Sequence, residues 1–536
     1  MKILVTDTIA RQAVDFLQRA AEVDIKQGIT HDDLKSIIKD YDALIIRSQT
    51  KVTADIIDAA RKLRVIGRAG VGVDNIDLQA ATRRGIVVVN SPERNVVSTA
   101  EHTIAMLLSL VRHIPKANNL LHGGVWNRQV KGFEVRNKTL GVIGLGRVWT
   151  NVVEMARGFR MNIIAYDPMV TEKRAEAMGV QLVELEDLLA KSDFITIHVP
   201  LNTTTTNLIG EDQLKLMKPT AMIVNCARGG IVDEQALYEA LKEGRIAGAA
   251  VDVYEVEPAH DNILLKSDKV IATPHLAAST IEAEIGSGVD IAEQVLSILQ
   301  GCPATSPVNA PVISAEALSV IGPYLQVGTI IGKIAVQLME GILKSLTITY
   351  QGEISQEDTS PIKVAILAGL LETLTEERVN MINADIIAKS RGLRIVEQKD
   401  SISVNYTNMV SVDLETDCGN TLISGSSLRG KAHLVRVNDF WLELEPTGNY
   451  MLFTEHKDCP GMIGALGTAV GNADVNISQM QVSRGVQRGG RAMMALCLDE
   501  ALPVDCHRQI LAIPNMHKAI LIKLAGGNNA LTGVYD

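Results

Sequence analysis

The sequence predicts an α/β protein with doubly wound parallel sheets in two successive lobes, followed by an α+β module and a small ferredoxin-like domain. Three observations predict this fold class. Short β-rich runs alternate with polar helical stretches over residues 1–275, a Pro/Ser-rich segment near residue 310 ends this rhythm, and the residues from about 450 onward follow the order β-α-β-β-α-β. With about 150 residues per domain, a chain of 536 residues also has room for three or four such units.

The first lobe extends from Met1 to about Asn90. Its apolar runs, which are separated by polar helical stretches, are KILVTD, YDALIIRS, RVIGRAG and GIVVVNS. This βαβ rhythm is typical of a parallel sheet, because each strand must return through a crossover helix. We therefore expect a parallel sheet with helices packed against it.

The second lobe opens with apolar residues at helical spacing from Ala100 to Ile114. Its six candidate core strands are TLGVIGLG, MNIIAYDP, SDFITIHVP, AMIVNCARGG, IAGAAVDVY and KVIATPH. Such continuous apolar runs are typical of strands buried on both faces. They predict a second doubly wound sheet, and ligands of such sheets bind at the carboxyl ends of the strands.

The sequence changes character after His275. A long helical segment, residues 280–299, precedes GCPATSPVNAP, and this Pro/Ser-rich linker predicts a domain boundary near residue 310. Residues 312–447 combine an amphipathic helix with β runs, which predicts an α+β module. The remaining residues, from about Tyr450, predict a split βαβ fold of the ferredoxin-like type.

Composition limits the classes of function. A formal net charge of −10 argues against attraction to nucleic acid or to an anionic membrane, so we expect small molecules or proteins as partners. The six cysteines form no CxxC pair, which favours a reducing cytosol, and no metal site is expected. The first residues, MKILVTDTIA, contain no apolar stretch long enough for a signal peptide or a membrane span. We therefore expect a cytoplasmic protein, although a cleaved organelle presequence would already be missing from such a sequence.

A candidate nucleotide site lies in LGVIGLGRVWTNVV, residues 140–153. In a Rossmann turn, Gly144 would permit the tight bend and Gly146 would let a pyrophosphate approach the helix N-terminus. A lone GxG is a weak signal, but Asp167 follows Gly146 by 21 residues, at the strand end where a carboxylate binds the ribose 2′-OH. This spacing favours NAD over NADP. The alternative is that Asp167 only forms the turn before Pro168.

Trp149 stands where the third glycine of this turn is expected. That glycine allows close packing of helix on strand, so an indole must go elsewhere or distort the phosphate cradle. We therefore expect Trp149 to weaken nucleotide binding.

A candidate reaction centre consists of Arg228, Glu257 and His275, each of which follows a predicted core strand. A guanidinium group can bind a carboxylate in bidentate fashion, a histidine can take a hydroxyl proton, and a neighbouring carboxylate can orient the imidazole ring. The three groups together suit hydride transfer between NAD and a 2-hydroxy acid. Asp252, at the end of AAVDV, could contact the nicotinamide amide, and a turn or capping role is equally open.

At these residues the sequence resembles the long-form D-3-phosphoglycerate dehydrogenases, within the D-isomer-specific 2-hydroxyacid dehydrogenases. The resemblance covers essentially the whole chain, in GRAGVGVDNID, GLGR, NCARGGIVDE, DVYEVEP, TPHLAAST and ERVNMINADIIAKSRG. It implies oxidation of 3-phosphoglycerate to 3-phosphohydroxypyruvate with NAD, the first step of serine biosynthesis. It makes Arg228 the anchor of the substrate carboxylate, His275 the acid/base and Glu257 its partner. It also places Arg47 and Arg68 near the substrate phosphate.

The resemblance further implies a set of cofactor-binding positions and a division into domains. The cofactor positions are Gly144, Gly146, Arg147, Val148, Asp167, Cys226, Ala227, Asp252, Leu276, Ala277 and Ala278. The implied domains are a substrate-binding domain (1–98 plus 284–310), an NAD-binding Rossmann domain (99–283), an allosteric substrate-binding-like domain (312–447) and an ACT domain (450–536). A cleft between the first two would close over substrate and exclude water.

The ACT domain implies an effector site and an assembly. Serine-inhibited relatives bind the effector between paired ACT domains, and His456, Asp458 and Asn476 occupy the matching positions. The alternative is that the ACT pair serves only for assembly. The resemblance implies a homotetramer or a homodimer.

Three positions depart from the family pattern. Trp149, Arg94 (in SPERN) and Ala277 (in PHLAAST) each put a side chain where relatives have glycine, and a glycine at positive φ tolerates replacement poorly. Two alternatives to the main interpretation therefore stay open. One is a dehydrogenase of another 2-hydroxy acid, such as 2-hydroxyglutarate, and the other is a catalytically weak, amino-acid-sensing relative.

Overall fold

Within the residues that it describes, the computed structural model contains four β-sheets that follow one another along the chain. Two are parallel, the third is mixed and the fourth is antiparallel, which confirms the predicted fold class. Of the expected domain limits, residues 312 and 536 lie outside the described residues. The structure describes residues 1–302, 304–310, 315–375, 377–485 and 487–524.

The first sheet has five parallel strands. They are Lys2–Val5 (β1), Glu22–Ile25 (β2), Ala43–Ile46 (β3), Val65–Arg68 (β4) and Val87–Asn90 (β5). The helices between them are Arg11–Gln18 (α1), His31–Ile37 (α2), Ala54–Ala59 (α3) and Leu78–Arg83 (α4). The strand order is β2-β1-β3-β4-β5. Strand β2 was not predicted, because this edge strand reads EVDI and its charged residues hide the apolar signal.

The second sheet has seven parallel strands. They are Thr139–Ile143 (β6), Asn162–Tyr166 (β7), Gln181–Leu182 (β8), Phe194–Ile197 (β9), Met222–Asn225 (β10), Gly248–Val251 (β11) and Val270–Ala272 (β12). The helices in this part of the chain are Val96–Val111 (α5), Ile114–His122 (α6), Val148–Gly158 (α7), Glu172–Ala177 (α8), Leu185–Lys191 (α9), Glu211–Leu216 (α10) and Glu234–Glu243 (α11), and Ile281–Leu299 (α12) follows β12. The order is β12-β11-β10-β9-β6-β7-β8, and β8 at the edge adds to the six predicted strands.

Helix α12 leaves the second sheet and packs on the first, against α1 and β4. Thr280 caps its N-terminus by accepting a hydrogen bond from the backbone N–H of Ala283 at 3.1 Å. A Cβ on Gly67 of β4 would lie 2.7 Å from Cγ2 of Ile291 and 2.8 Å from Cγ2 of Val295. The absence of a side chain at Gly67 therefore allows α12 to lie directly on the strand.

The third sheet is mixed and is covered by helices. Its strands are Leu343–Gly352 (β13), Arg394–Asp400 (β14), Asn408–Thr416 (β15), Asn420–Leu428 (β16), Lys431–Val437 (β17) and Phe440–Leu444 (β18), in the order β14-β13-β15-β16-β17-β18. The helices are Ala315–Leu338 (α13), Ser360–Glu372 (α14) and Ala384–Ser390 (α15). Helices α13 and α14 cross closely at Gly332. A Cβ at this position would lie 2.3 Å from the carbonyl oxygen of Ile366, so only glycine permits this approach.

Helix α13 contains the one stretch of the described residues that is long and apolar enough to cross a membrane. This stretch, Ala317–Leu338, has a mean hydropathy of 1.3, and 67% of it is buried inside the protein. Its apolar residues form the core of the third sheet together with α14. The composition of this stretch is therefore that of a core helix.

Two asparagines of the third module form hydrogen bonds to the backbone of the first lobe. Asn380 Nδ2 donates to the carbonyl oxygen of Gly85 at 2.8 Å, and Asn383 Nδ2 donates to that of Arg83 at 3.1 Å. Both asparagines are buried, and Ile382 between them joins the hydrophobic core of the first sheet. These contacts, called the asparagine clasp below, hold the chain just before β5.

The fourth sheet is antiparallel, with two helices on one face, and has the predicted ferredoxin-like order. Its elements are Tyr450–Lys457 (β19), Met462–Asn472 (α16), Ile477–Arg484 (β20), Arg491–Leu498 (β21), Val504–Leu511 (α17) and Met516–Lys523 (β22). The strand order is β20-β21-β19-β22. Leu452 and Leu496 face the helices, whereas Phe453 and Met493 pack on the third module.

Candidate active site

The carboxyl ends of the two parallel sheets meet at one cleft. Arg228, which follows β10, lies against Asp74, which follows β4, with 3.3 Å between Nε and Oδ2. Asp252 and His275 follow β11 and β12, the next strands in the same sheet. The predicted site residues of the second lobe are therefore at the edge where α/β sheets bind ligands.

His275 and Glu257 form a hydrogen-bonded pair, with 2.9 Å between His275 Nδ1 and Glu257 Oε2. The backbone of His275 has a left-handed φ of 55°, and its N–H donates to the carbonyl oxygen of Asp252 at 2.9 Å. Burial disfavours the charged form of Glu257, but the hydrogen bond and charge of His275 outweigh it and hold the pKa of Glu257 below its ordinary value. An ionised carboxylate therefore engages Nδ1 of the His275 ring rather than Nε2.

Asp252 braces the loop that carries His275. Its fully buried carboxylate accepts hydrogen bonds from Thr273 Oγ1 at 2.6 Å and from the backbone N–H groups of Leu276 and Ala277, both at 2.8 Å. His102 Nε2 lies 3.4 Å from Oδ1. Burial alone would raise the pKa of Asp252, but these hydrogen bonds outweigh it and lower the pKa. The structure thus shows a turn-forming role, and a contact with the nicotinamide amide stays a prediction.

Arginines from both lobes gather at the cleft. Arg68 ends β4, and its Nε is buried without a hydrogen-bond partner among the described residues. Burial, followed by repulsion from Arg228, lowers the pKa of Arg68 to about 10, and Arg47 adds to this repulsion while Asp74 opposes it. A cluster of like charges with an unsatisfied buried donor favours an anionic ligand.

Asp7 positions the loop that carries Arg47. This buried carboxylate accepts the backbone N–H groups of Arg47 at 2.7 Å and of Gln49 and Thr50, both at 3.2 Å. The side chain of Arg47 points to α12, where Nη1 lies 3.6 Å from Glu284 Oε1. The first sheet and its returning helix therefore both orient this guanidinium group.

The turn after β6 has the geometry that a dinucleotide needs. Gly144 has a φ of 93°, and a Cβ there would lie 2.6 Å from Cγ1 of Val199 and 2.9 Å from the carbonyl carbon of His198. A Cβ on Gly146 would meet only the His198 carbonyl oxygen, at 3.7 Å, so the space above Gly146 is open. Because α7 begins at Val148, its N-terminus points at this space. The residues present therefore fit a pyrophosphate.

Asp167 lies beside this turn at the end of β7. Its Oδ2 accepts the backbone N–H of Leu145 at 2.7 Å, and its Oδ1 accepts that of Met169 at 2.8 Å. The second contact is the turn-forming role that sequence analysis weighed. Each carboxylate oxygen can accept a further hydrogen bond, so a ribose contact stays a prediction.

Trp149 does not fill the nucleotide turn. Its side chain is 2% exposed and belongs to a hydrophobic core with α5, where Ile104 and Leu107 are its fellow members. An indole placed away from the turn or a distorted cradle was expected from the sequence, and the structure packs the indole inward beneath the start of α7. The space over Gly146 stays open, so the indole does not occupy the place of a pyrophosphate.

The other two departures from the family pattern are also accommodated. The aliphatic part of the Arg94 side chain packs on α12 at Gly286. A Cβ on Gly286 would lie 3.4 Å from Cβ and from Cδ of Arg94. Ala277 is buried, and its backbone N–H donates a hydrogen bond to the carboxylate of Asp252. Neither residue, nor Trp149, has a positive φ, so the expectation of backbone strain at these positions was wrong.

The remaining predicted cofactor positions line the same edge of the second sheet. Arg147 is the exposed residue that precedes α7, and Leu276 is exposed in the loop after β12. Cys226 is buried, and burial raises the pKa of its thiol to about 12, so it is not a nucleophile at neutral pH. The partly buried members of the set are Val148, Ala227 and Ala278.

His456 lies buried in the fourth sheet. It is 3% exposed, its Nδ1 is 2.9 Å from the carbonyl oxygen of Lys457, and its Nε2 has no hydrogen-bond partner among the described residues. Asp458 follows at the end of β19, with its Oδ1 3.3 Å from Arg484 Nε. A buried donor or acceptor without a partner marks a place where a ligand could bind.

Asn476 is not brought together with these two residues. It precedes β20 and donates from Nδ2 to Asp499 Oδ2 at 2.6 Å. The register pairs Ile477 with Leu498, whereas His456 pairs with Ala492 at the other end of β21. One chain therefore places Asn476 and His456 at opposite ends of the sheet.

Three further residues that shape the site were not predicted from the sequence: Asp7, Asp74 and His102. Asp7 ends the run KILVTD and Asp74 stands in GRAGVGVDNID, so both had the strand-end position that was used for the other candidates. His102 had no such signal, because it lies within α5 and reaches Asp252 only through tertiary packing.

Comparisons with known proteins agree with this geometry. The family profile of the D-isomer specific 2-hydroxyacid dehydrogenase NAD binding domain matches residues 104–277, and that of the D-3-phosphoglycerate dehydrogenase intervening domain matches residues 320–438. The chain is 44% identical to the D-3-phosphoglycerate dehydrogenase of Synechocystis sp., over 98% of this chain and 95% of that protein. It is also 44% identical to the enzyme of that name from Methanocaldococcus jannaschii, over 98% and 100%. The structure of D-lactate dehydrogenase from Escherichia coli covers 57% of this chain and 100% of its own, with a TM-score of 0.52 and 28% identity.

Proposed function

The chain belongs to the D-3-phosphoglycerate dehydrogenases, and we propose that Arg228, Glu257 and His275 carry out its reaction. The reaction is the oxidation of 3-phosphoglycerate to 3-phosphohydroxypyruvate with NAD, the first step of serine biosynthesis. The observation that supports these roles most strongly is the pair of His275 and Glu257, 2.9 Å apart at the carboxyl ends of the second sheet.

Substrate binding follows from the arginine cluster. Arg228 would bind the substrate carboxylate, and Arg47 and Arg68 would bind the phosphate. A phosphate would satisfy the buried Nε of Arg68 and would oppose the burial and the repulsion that together lower its pKa. Glycerate, which lacks the phosphate, could not use this part of the site.

Proton transfer would take place at His275. NAD, when bound, accepts the hydride that leaves the substrate carbon bearing the hydroxyl group. The hydroxyl proton then goes to Nε2 of His275, while Glu257 stabilises the resulting imidazolium through Nδ1. Asp252 keeps the loop of His275 in place through its backbone hydrogen bonds.

The predicted cofactor positions would hold NAD along the carboxyl edge of the second sheet. Gly144 and Gly146 would let the pyrophosphate reach the N-terminus of α7, beside Arg147 and Val148. Asp167 would accept the ribose hydroxyls, and Cys226, Ala227, Asp252, Leu276, Ala277 and Ala278 would line the nicotinamide end.

The domain division is proposed on the packing of the sheets. Residues 1–98 and 284–310 would form the substrate-binding domain, because most of α12 lies on the first sheet, against Gly67. Residues 99–283 would form the NAD-binding domain, 312–447 the intervening domain and 450–536 the ACT domain. The contact of Arg228 with Asp74 supports a cleft between the first two.

We also propose a serine effector site shared by two ACT domains. The unpartnered Nε2 of His456 supports a ligand there, and Asn476 could join it only from a second copy because it lies at the far end of its own sheet. This arrangement requires a homo-oligomer, a dimer or a tetramer. The free cysteines support a cytosolic location.

A substrate comparison tests the proposed roles of the arginines. Formation of NADH is followed by absorbance with 3-phosphoglycerate, glycerate and 2-hydroxyglutarate at alkaline pH. We expect 3-phosphoglycerate to be oxidised best, and Arg68→Gln to raise its KM by about tenfold or more, since a hydrogen bond between charged groups is lost. Arg61→Gln, a change at an exposed arginine, is the control. An equal KM in wild type and R68Q, or a preference for 2-hydroxyglutarate, would overturn this assignment.

The effector proposal needs a separate test. Isothermal titration of serine into wild type should show binding, His456→Ala should abolish it, and His433→Ala at a partly exposed position in the third module should not. Mixing H456A with Asn476→Ala subunits should restore part of the sites if each site uses both chains. Serine binding that is equal in H456A and wild type would contradict the proposal and favour a role in assembly only.

A further inference from the structure

Asp74 contacts the edge of Arg228 that a substrate carboxylate needs. Nη1 of Arg228 donates to the carbonyl oxygen of Ala227 at 2.7 Å, so this amino group is engaged within its own loop. Bidentate contact is left to the edge formed by Nε and Nη2. Asp74 Oδ2 lies 3.3 Å from Nε, on that edge.

Gly72 allows this contact. A Cβ on Gly72 would lie 2.3 Å from Nη2 of Arg228 and 2.7 Å from Oδ2 of Asp74. Any side chain at this position would therefore push apart the two charged groups. The loop after β4 is shaped so that an acidic side chain of the first lobe reaches an arginine of the second.

The ion pair of Arg228 and Asp74 is exposed to water and can be displaced by another anion. The side chain of Asp74 is 78% exposed, and such ion pairs contribute little to stability because water competes for both groups. Arg68 also attracts Asp74, so the carboxylate stands near two arginines of the proposed substrate site. A substrate with its own carboxylate and phosphate would bring more negative charge to the same place.

We propose that Asp74 is a displaceable carboxylate that occupies Arg228 in the absence of substrate and yields this edge to the substrate carboxylate. This inference rests on the proposed role of Arg228. Asp74 thereby acts as a specificity-determining residue: a ligand must supply a carboxylate to replace it. A ligand with a phosphate only leaves Asp74 in place.

Asp74→Asn tests the proposal through binding. The affinities of 3-phosphoglycerate and of glycerol 3-phosphate, which has no carboxylate, are measured by isothermal titration in the presence of NADH. We expect D74N to tighten 3-phosphoglycerate about two- to fivefold, the range for loss of an exposed ion pair, and to leave glycerol 3-phosphate unchanged. Asp74→Glu, which keeps the charge, should bind like wild type. Asp58→Asn, a change at an exposed acid on α3, is the control for net charge.

The other outcomes separate the possible failures. Equal tightening of both ligands would show a general electrostatic effect and overturn displacement. Unchanged or weaker binding of 3-phosphoglycerate in D74N would show that Asp74 positions Arg228 or does nothing, and would also overturn it. In either case, if the proposed function holds, the Arg228→Lys variant should still have a higher KM for 3-phosphoglycerate than wild type. If wild type binds no 3-phosphoglycerate, both proposals fail together.

Discussion

At the scale of a single residue, Trp149 shows that the hydrophobic core can accommodate a large side chain at a position where relatives have glycine. The indole sits under the first turn of α7, within the core that α5 and α7 share. Gly144 keeps its left-handed φ, and Gly146 keeps open space above it. The residue therefore contributes to the core of the second lobe without entering the nucleotide turn.

Trp149→Gly should destabilise the protein and should not improve activity. Loss of a large buried side chain costs about 3–5 kcal/mol through lost burial and the cavity that is left. Thermal unfolding checks this result as a lowered transition midpoint. Trp441→Ala, at a partly exposed position on β18, should change the midpoint far less. A more active W149G with an unchanged midpoint would show that the indole does impede the nucleotide.

Asp252 predicts an acid-dependent loss of stability. Its pKa in the folded protein lies below the ordinary value of 3.8, so the unfolded chain binds the proton more readily. The stabilisation is therefore complete above that value and is lost as pH falls through the lowered pKa. Asp252→Asn should show a smaller decrease in unfolding midpoint than wild type between about pH 5 and about pH 3. Equal decreases in the two proteins would contradict the lowered pKa.

Cys226 should resist alkylation in the folded protein. Burial raises the pKa of its thiol to about 12, so almost no thiolate exists at pH 8. Mass spectrometry after treatment with iodoacetamide should find Cys302, which is exposed, modified first. Rapid labelling of Cys226 under native conditions would show that the second lobe opens at this core.

The sequence suggested candidate site residues where a chemical role coincided with a strand end. Arg228, Glu257 and His275 were chosen in this way, and the structure brings Glu257 and His275 into contact. His102 could not be found, because only the packing of α5 on β12 brings it to Asp252. Strain at Arg94 was wrongly expected, because its backbone φ depends on a loop conformation that one sequence does not reveal.

At the scale of elements, the local sequence pattern did not predict edge strands or contacts between residues that are distant in the chain. In the two parallel sheets, the strands β2 and β8 were missed, since both lie at sheet edges where few residues are buried. The central strands of these two sheets, whose runs are continuously apolar, were all predicted. The asparagine clasp was also missed, because amides in ERVNMINAD have no pattern that names their partners in the first sheet.

The asparagine clasp should couple the third module to the first sheet. Asn383→Ala removes a buried donor and leaves the carbonyl oxygen of Arg83 without it, at a cost of about 1–3 kcal/mol. Hydrogen exchange should become faster in β5, which starts just beyond the clasp. Asn118→Ala, at an exposed position on α6, is the matched control. Unchanged exchange in β5 would show that the two units are independent.

At the scale of the whole molecule, α6 and the residues that follow it, called the apolar arm below, expose several large apolar side chains. Helix α6 has no buried residue, and Leu121, Val125, Trp126 and Phe133 in and after it are exposed. Apolar side chains clustered on a surface are typical of subunit contacts. The family resemblance predicted an oligomer, and we expect the apolar arm to be its subunit contact. Only the structure shows which apolar side chains are exposed.

Trp126→Ala combined with Leu121→Asp should dissociate the assembly at this arm. Analytical ultracentrifugation should show a smaller species than wild type, whereas Met169→Ala, at another exposed apolar residue, should not. If the double variant sediments like wild type, the arm is not the subunit contact, and the ACT domains become the remaining candidate.

The most direct test of the central assignment is the rate of hydride transfer in His275→Gln, measured as NADH formed in a single turnover with 3-phosphoglycerate. Loss of an acid/base group should slow this step by about 10²-fold or more, while NADH affinity, measured by fluorescence, stays within about twofold. Glu257→Gln should slow the same step less, because it acts through His275. Hydride transfer at the wild-type rate in H275Q would contradict the reaction centre proposed for this protein.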